Sequence, residues 1–307
     1  MRILLIGGSG LLGSNLILNL HKNYDLISTY NKHKVETKKF KFIELDVTNY
    51  KNLKELLIDF KPNIVIHTAA ISRPELCENM DYENLYEYNV RPAEYLSELC
   101  NKTGSRLFFT STDLVYDESL DEIDENSKLN PSTKYAKSKV DAENVIASIS
   151  KNYVILRTAL LLGFCYFGEI NSNFHKNYIS LNEGEKVNLY IDQVRTPLSV
   201  IEAGRIIEKL FSADIQNDIL NFCGKDFVTR YEIGKILAKK LKVSDELINP
   251  IELSKLDVVN KVLSLKLKSD KLDALYKERI DIEKAIDELV RNYENNKDPF
   301  GMANFIS

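Results

Sequence analysis

The chain lacks a paired cysteine pattern, an excess of either charge, a long apolar run and an internal repeat, and each absence removes a class of function. Its four cysteines, Cys77, Cys100, Cys165 and Cys223, are scattered without a Cys-x-x-Cys spacing. Neither a zinc site nor a disulfide framework is expected from them, no metal is assigned, and a reducing cytoplasmic setting suits them. The 41 basic and 45 acidic side chains nearly cancel, to a net of -4. That balance gives no reason to expect nucleic acid or an acidic membrane as partner and favours small or mixed-charge ones. The apolar run Ile3-Leu4-Leu5-Ile6 meets glycine well short of the length of a signal peptide or membrane span. No targeting or anchoring is expected.

What is present is enough hydrophobic material, 44% of 307 residues, for one large domain or two that share a core. Short apolar runs (Ile3-Leu4-Leu5-Ile6, Leu26-Ile27-Ser28-Thr29, Phe42-Ile43-Glu44-Leu45, Ile64-Val65-Ile66, Leu107-Phe108-Phe109) alternate with segments of helical spacing such as 11–20 and 53–60. This β-α alternation predicts a parallel sheet with helices on both faces. A helix over about 131–148 leads to another strand, Val154-Ile155-Leu156. From 163 to 193 the pattern loosens into Asn, Ser, Gly and Tyr between short apolar pieces, as expected of a substrate-facing insertion. Then Ile219-Leu220-Asn221-Phe222 reads as a strand, 229–241 as a helix opened by a threonine cap, and 281–293 as a charged helix whose Asn-rich end frays. The domains therefore interleave.

Gly7-Gly8-Ser9-Gly10-Leu11-Leu12-Gly13 directly follows the first strand and opens the first helix. A dinucleotide site needs one glycine for the turn, a second for approach of backbone to the pyrophosphate, and a third for packing of helix on sheet. Those roles fall to Gly7, Gly10 and Gly13, with the phosphates at the N–H groups of the helix that starts with Leu11 and Leu12. The bland alternative is a tight turn without a ligand. A carboxylate near the end of the second strand would grip the ribose hydroxyls of NAD, but the residues there are Ser28, Thr29, Tyr30 and Asn31. Lys32, His33 and Lys34 follow and could neutralise a 2′-phosphate, which favours NADP(H) with NAD(H) as the alternative; a solvated basic loop is the competing reading. Asp46 and Val47 are placed to contact adenine through a carboxylate and a backbone amide, unless Asp46 caps the next helix.

Tyr135 and Lys139 are spaced i, i+4, so on a helix both project from one face. An adjacent ammonium is expected to lower the tyrosine pKa and let it shuttle a proton to a substrate oxygen. An amphipathic helix with a half-buried Tyr and a solvated Lys would show the same spacing. Upstream, Thr110-Ser111-Thr112-Asp113 leaves a strand for a hydroxyl-rich loop, where a hydroxyl could hold a reacting carbonyl oxygen. Thr110 and Ser111 are read as ordinary strand-end capping. Arg73, Arg157 and Arg195 could grip a diphosphate in two-point contacts, although a salt bridge is the commoner fate of an arginine. His67 reads as a satisfied core histidine, with no second ligand near it in sequence for a metal.

Gly7-x-x-Gly10-x-x-Gly13, His67-Thr68-Ala69-Ala70, Ser111-Thr112-Asp113-Leu114-Val115-Tyr116, Tyr135-x-x-x-Lys139 and Leu156-Arg157-Thr158 occur in the order seen in extended short-chain dehydrogenases. Within that group the chain resembles the dTDP-4-dehydrorhamnose reductase family, most specifically in its Ser-Thr-Asp-x-Val-Tyr block. The resemblance is carried by residues 1–158, and beyond them by Arg195-Thr196-Pro197 and a weaker match around 265–272. It implies a Rossmann-type doubly wound α/β domain, 1–160, to which 195–224 returns, and a smaller interleaved C-terminal substrate-binding part, 161–194 and 225–307. It further implies Thr112 as triad hydroxyl, Tyr135 as proton donor and Lys139 as ribose-binding cation. Ala69 and Ala70 would line the nicotinamide-ribose side, Asn89 would be structural, and Arg73, Thr112 and Arg195 would meet a nucleotide-sugar substrate. The implied activity is reduction of a nucleotide-linked 4-keto-6-deoxy sugar; a homodimer is compatible with it. An epimerase of the same fold and a non-catalytic NADP-binding regulatory subunit are the alternatives. Leu114 stands where a dehydratase would carry a second acid beside Asp113, which argues against dehydration. Pro92, where a small residue is usual, and the segment after Gly163 depart from the pattern.

Overall fold

The computed structural model describes residues 1–32, 34–35, 37–168, 172–258 and 261–301. Six parallel strands, β1 (Arg2–Ile6), β2 (Asp25–Tyr30), β3 (Phe42–Glu44), β4 (Ile64–His67), β5 (Arg106–Thr112) and β6 (Tyr153–Thr158), form one sheet with a seventh, Asp218–Phe222. Across the sheet the order is Asp218–Phe222, β6, β5, β4, β1, β2, β3. Residues 3–6 of β1, 64–67 of β4 and every residue of β6 are buried, because helices cover both faces. That is why these strands are almost continuously apolar instead of alternating.

On one face, α1 (Leu11–Leu20) packs against a helix from far along the chain, Val200–Leu210. On the other lie α2 (Tyr50–Phe60), α5 (Arg91–Thr103) and α6 (Lys134–Ile149), whose Leu53, Leu57, Leu96, Leu99, Ala142 and Ile146 share a core with Leu4, Val65 and Phe109. Two short helices, α3 (Pro74–Glu78) and α4 (Tyr82–Asn89), follow β4. Pro92 has a local reason: α4 stops at Asn89 and Pro92 stands in the first turn of α5, where a missing N–H is harmless.

The chain leaves the sheet after β6 and returns to it at Asp218–Phe222, which lies parallel to β6. In between, the loose stretch contains more regular structure than its composition suggests. Ser172 caps the helix α7 (Asn173–Asn182), and the strand Val187–Tyr190 pairs in parallel with Ile248–Ile251. With Val200–Leu210 counted as α8, these elements join α9 (Arg230–Leu241) and, past the short α10 (Asp270–Leu275), α11 (Ile282–Asn295) around a separate core. Leu181, Leu189, Leu237, Ile286 and Leu289 are buried there. Thr229 opens α9 with a capping box, its side chain bonding the Glu232 amide and Glu232 bonding back.

Candidate active site

Strand order reverses at β1, so the carboxyl ends of β1 and β4 flank a crevice, the usual ligand position in such sheets. The glycine turn sits there. Gly7 has φ +92°, and a Cβ on it would lie 2.7 Å from the Ala69 nitrogen. Gly13 lets α1 lie against the turn, since a Cβ would fall 2.2 Å from the Gly7 carbonyl oxygen. Gly8, given no role by the sequence pattern, is equally constrained, since a Cβ on it would fall 1.8 Å from Ser28 Oγ. Gly10 is different. Beyond its chain neighbours a Cβ there would approach only the Gly7 carbonyl oxygen, at 3.4 Å, so this side of the turn is open. Gly10 is also the N-cap of α1, with no side chain capping the helix, which leaves the first-turn amides of Leu11, Leu12 and Gly13 directed at the opening. An anion such as a pyrophosphate fits this cradle.

The end of β2 pins the turn from beside it. Thr29 accepts from Gly8 N through its carbonyl at 2.8 Å and from Gly7 N through Oγ1 at 3.3 Å. Tyr30 is half-buried, whereas Asn31, Lys32 and Lys34 are exposed; His33 lies outside the described residues. Asp46 is not a helix cap. Its Oδ1 accepts from the Thr48 amide and hydroxyl at 2.9 and 2.8 Å, and Asn49 caps α2 instead. Val47, Ala69 and Ala70 are half-buried, and Arg73 is exposed at the N-cap position of α3.

Thr133 caps α6 by accepting from Ala136 N, which sets Tyr135 in the first turn and Lys139 one turn later, both buried. Lys139 Nζ donates to the Thr110 carbonyl at 2.8 Å and lies 6.0 Å from the Tyr135 ring centroid. Burial pulls its pKa down to about 8, opposed by Glu143. Thr112 ends β5, buried; its Oγ1 donates to Asp113 Oδ1 at 3.3 Å, and its hydroxyl favours the ionised form of the nearby Tyr135 phenol. The expectation of a lowered tyrosine pKa is overturned. Burial, the Asp113 carboxylate and the Cys77 thiol push Tyr135 up, and only the Thr112 hydroxyl opposes them. The ammonium gives no relief, because with a pKa of about 8 it has lost its charge before the phenol would ionise.

Two further corrections concern the strand ends. His67 is not satisfied: it is buried with no hydrogen-bond partner on either ring nitrogen among the described residues, and burial with the Lys139 charge lowers its pKa to about 3. Thr110 Oγ1 does bond across the sheet to the His67 carbonyl, but Ser111 Oγ is buried without a partner among the described residues and caps nothing. Among those residues, no group of three or more His, Cys, Asp or Glu is placed to hold a metal ion.

Arg157 is no candidate for a ligand phosphate. It is buried within the fold, its Nη2 donating to Glu143 Oε2 at 2.8 Å and its Nη1 to Tyr116 Oη at 2.9 Å. Arg195 is buried within electrostatic range of Asp113, with Nη2 on the Val262 carbonyl at 3.3 Å and Nη1 unpartnered among the described residues. Beside it is a cation that the sequence reading missed. Arg230 donates through Nε to Gln193 Oε1 at 2.9 Å, and burial together with the Arg195 charge lowers its pKa to about 10. Its sequence signal was a cation in the first turn of a helix, where the dipole disfavours one. Both guanidiniums act on Asp113, whose carboxyl is raised by burial and lowered in part by Arg195 and Arg230, and whose Oδ2 has no partner among the described residues.

A seven-stranded parallel sheet with a glycine turn at its switch point and a Tyr-x-x-x-Lys helix beside the crevice is the arrangement of an extended short-chain dehydrogenase/reductase. The chain belongs to the family described as RmlD substrate binding domain, whose sequence model matches residues 1–293. It is 27% identical over 264 residues to a dTDP-4-dehydrorhamnose reductase of Aggregatibacter actinomycetemcomitans, covering 81% of this chain and 84% of that one. It is also 26% identical over 259 residues to the methionine adenosyltransferase 2 subunit beta of Xenopus laevis, with 81% and 75% covered. A crystal structure of a dTDP-4-dehydrorhamnose reductase from Bacillus anthracis in complex with NADP superposes with a TM-score of 0.80 at 20% identity, over 95% of this chain and 99% of that one.

Proposed function

We propose that the protein is an NADP(H)-dependent reductase of a nucleotide-linked 4-keto-6-deoxy sugar, working in the cytoplasm, with NAD(H) as the alternative cofactor. The observation that carries this reading is the buried Thr112 at the end of β5, with Tyr135 and Lys139 buried on α6, in the same sheet as the open glycine turn and uncapped start of α1 that follow β1, two strands away. Residues 1–160 and 195–224 would hold the dinucleotide, and 161–194 with 225–307 the sugar nucleotide. The backbone at Gly7, Gly10, Leu11, Leu12 and Gly13 would take the pyrophosphate. Tyr30, Asn31, Lys32, Asp46 and Val47 would take the adenosine end, and Ala69, Ala70 and Lys139 the nicotinamide-ribose end.

The nicotinamide, when bound, supplies the hydride. Thr112 holds the ketone oxygen by a hydrogen bond, and Tyr135 gives that oxygen its proton. Lys139 holds its own position through the Thr110 carbonyl. Arg195, with Arg230 beside it, offers fixed donors to the substrate diphosphate, and Arg73 is a further candidate at the rim. The B. anthracis reductase with NADP bound and the A. actinomycetemcomitans reductase support this reading.

The likeness to methionine adenosyltransferase beta subunits favours a second reading, an NADP-binding regulatory subunit. The deciding experiment is a panel of thymidine-, guanosine-, uridine- and cytidine-linked keto sugars offered with NADPH and NADH. Net cofactor oxidation supports the reductase, and a changed sugar without oxidation identifies an epimerase. Binding of both ligands with no change to either leaves the regulatory subunit, to be sought with a partner pull-down.

A further inference from the structure

Residues 31–41 join β2 to β3 and begin at the strand end where the adenosine half of a dinucleotide would lie. Lys32 is exposed at that start. Left to itself, a polar connection of this length would hold its cations loosely, and a phosphate contact is strong only where the donors are already in place. The far end of this loop is held by the other end of the chain. Thr37 Oγ1 donates to the Phe300 carbonyl at 2.6 Å, and Lys39 Nζ donates to the Pro299 carbonyl at 3.3 Å. Phe300 is 1% exposed, with its ring 5.0 Å from that of Phe40, which meets His21 edge-on at 4.9 Å.

The same ring reaches the cofactor side by a second route. Phe300 lies 4.5 Å from Phe167, Phe167 lies 5.7 Å from Phe42, and Phe42 lies 6.4 Å from Tyr30 at the end of β2. Val35, in the middle of the loop, is buried in the same core. The strap thus holds the Thr37–Phe40 end of the loop directly, and the strand end at Tyr30 is linked to the same ring through Phe167 and Phe42.

We propose that the C-terminal strap at Pro299 and Phe300 is a positioning and specificity element, holding the loop after β2 so that Lys32 meets the 2′-phosphate of NADP. The inference rests on the NADP(H) reading above. Lys39 is engaged with the strap, whereas Lys32 is exposed directly after the end of β2, on the side where the adenosine end would lie. Loosening the strap acts on the phosphate contact and leaves the pyrophosphate cradle at Gly10 untouched, so NADP and NAD respond differently.

Calorimetric titration of NADP⁺ and NAD⁺ into the full-length protein tests this, with no turnover required. Phe300→Ala is expected to weaken NADP⁺ by about tenfold, the scale of one charge-assisted hydrogen bond, and NAD⁺ by less than about twofold. Thr37→Val, which removes one hydroxyl, should move the ratio in the same direction by a smaller factor, and it decides the matter if Phe300→Ala fails to fold. In a Lys32→Ala background neither substitution should change the NADP⁺ to NAD⁺ ratio further. Equal weakening of both nucleotides, or an unchanged ratio in folded variants, overturns the proposal. A wild-type protein that binds both nucleotides equally overturns the NADP(H) reading and this inference with it; loss confined to the variants leaves that reading standing.

Discussion

Replacing Lys139 by methionine should make the ligand-free protein more stable near neutral pH while it destroys turnover. The ammonium is 2% exposed, and burial moves its pKa from 10.5 to about 8. The folded state therefore binds this proton less tightly than the unfolded chain does. Below about pH 8 both states carry it, and the folded state bears the full disadvantage, on the order of 3 kcal/mol. From about pH 8 to 10.5 the folded state sheds the proton first, so wild-type stability rises relative to a variant without the group. Methionine keeps the length of the stem but gives up the bond to the Thr110 carbonyl, a loss of roughly 1.5–3 kcal/mol. The net gain at pH 7 is accordingly small, about 1 kcal/mol. The informative quantity is the slope. Urea unfolding of both proteins at pH 7, 8, 9 and 10 should show the wild type gaining on Lys139→Met by about 2–3 kcal/mol across that window. A difference that stays flat with pH would refute the claim that this ammonium is desolvated in the fold.

Gly10→Val should fold normally yet bind either dinucleotide at least about tenfold more weakly, whereas Gly13→Ala should unfold at lower urea because its methyl meets a backbone carbonyl; titration and urea melts separate the two. Tyr135→Phe should keep cofactor affinity and lose about 10²–10⁴-fold in kcat on whichever keto sugar is turned over, and near-normal turnover would move the proton donor elsewhere. Glu143→Gln leaves Arg157 buried without its counter-ion and should lower stability by about 3–5 kcal/mol, most of it recovered in a Glu143→Leu, Arg157→Met double variant on thermal melts.

The sheet and its helices were legible because their signals are local. The helix over Leu11–Leu20 ends where the periodic apolar residues end, and β6 follows a helix that begins just after the Thr133 cap. The stretch after Gly163 was not legible, since α7 owes its place to contacts distant in sequence. Phe164 stacks on Tyr293 at 3.9 Å, and His175 reaches the Tyr293 hydroxyl at 3.2 Å. The polar site failed for a similar reason. Arg157 and Arg195 look alike in sequence, and only the sheet decides that one finds Glu143 on α6 while the other keeps a buried Nη1 without a partner among the described residues. Arg230 belongs to no motif in the sequence. It becomes visible when Val228–Thr229 pairs with Val194–Arg195 and brings the two guanidiniums within electrostatic range of each other.

The raised pKa of Tyr135 bears on the direction of the reaction. A phenol that must abstract a proton from an alcohol needs to be ionised at working pH, and here burial and the Asp113 carboxylate both oppose ionisation. A phenol that must deliver a proton needs the opposite, and the same two influences keep it protonated. The same shift that keeps the phenol protonated also makes it a weaker acid, so a donor here needs its pKa brought back toward working pH when it acts. Asp113 is itself flanked by Arg195 and Arg230, so its charge at Tyr135 depends on what else those cations hold. An anionic substrate group drawing on the two guanidiniums would weaken their hold on Asp113 and raise its pKa, and a protonated Asp113 would no longer push the phenol upward. Binding of an anion at the two guanidiniums and ionisation of Tyr135 would in this way be joined electrostatically through one carboxyl. Asp113→Asn should accordingly lower the pH at which Tyr135 ionises, measurable as the phenolate absorbance that Tyr135→Phe removes; an unchanged alkaline titration in Asp113→Asn would break that link.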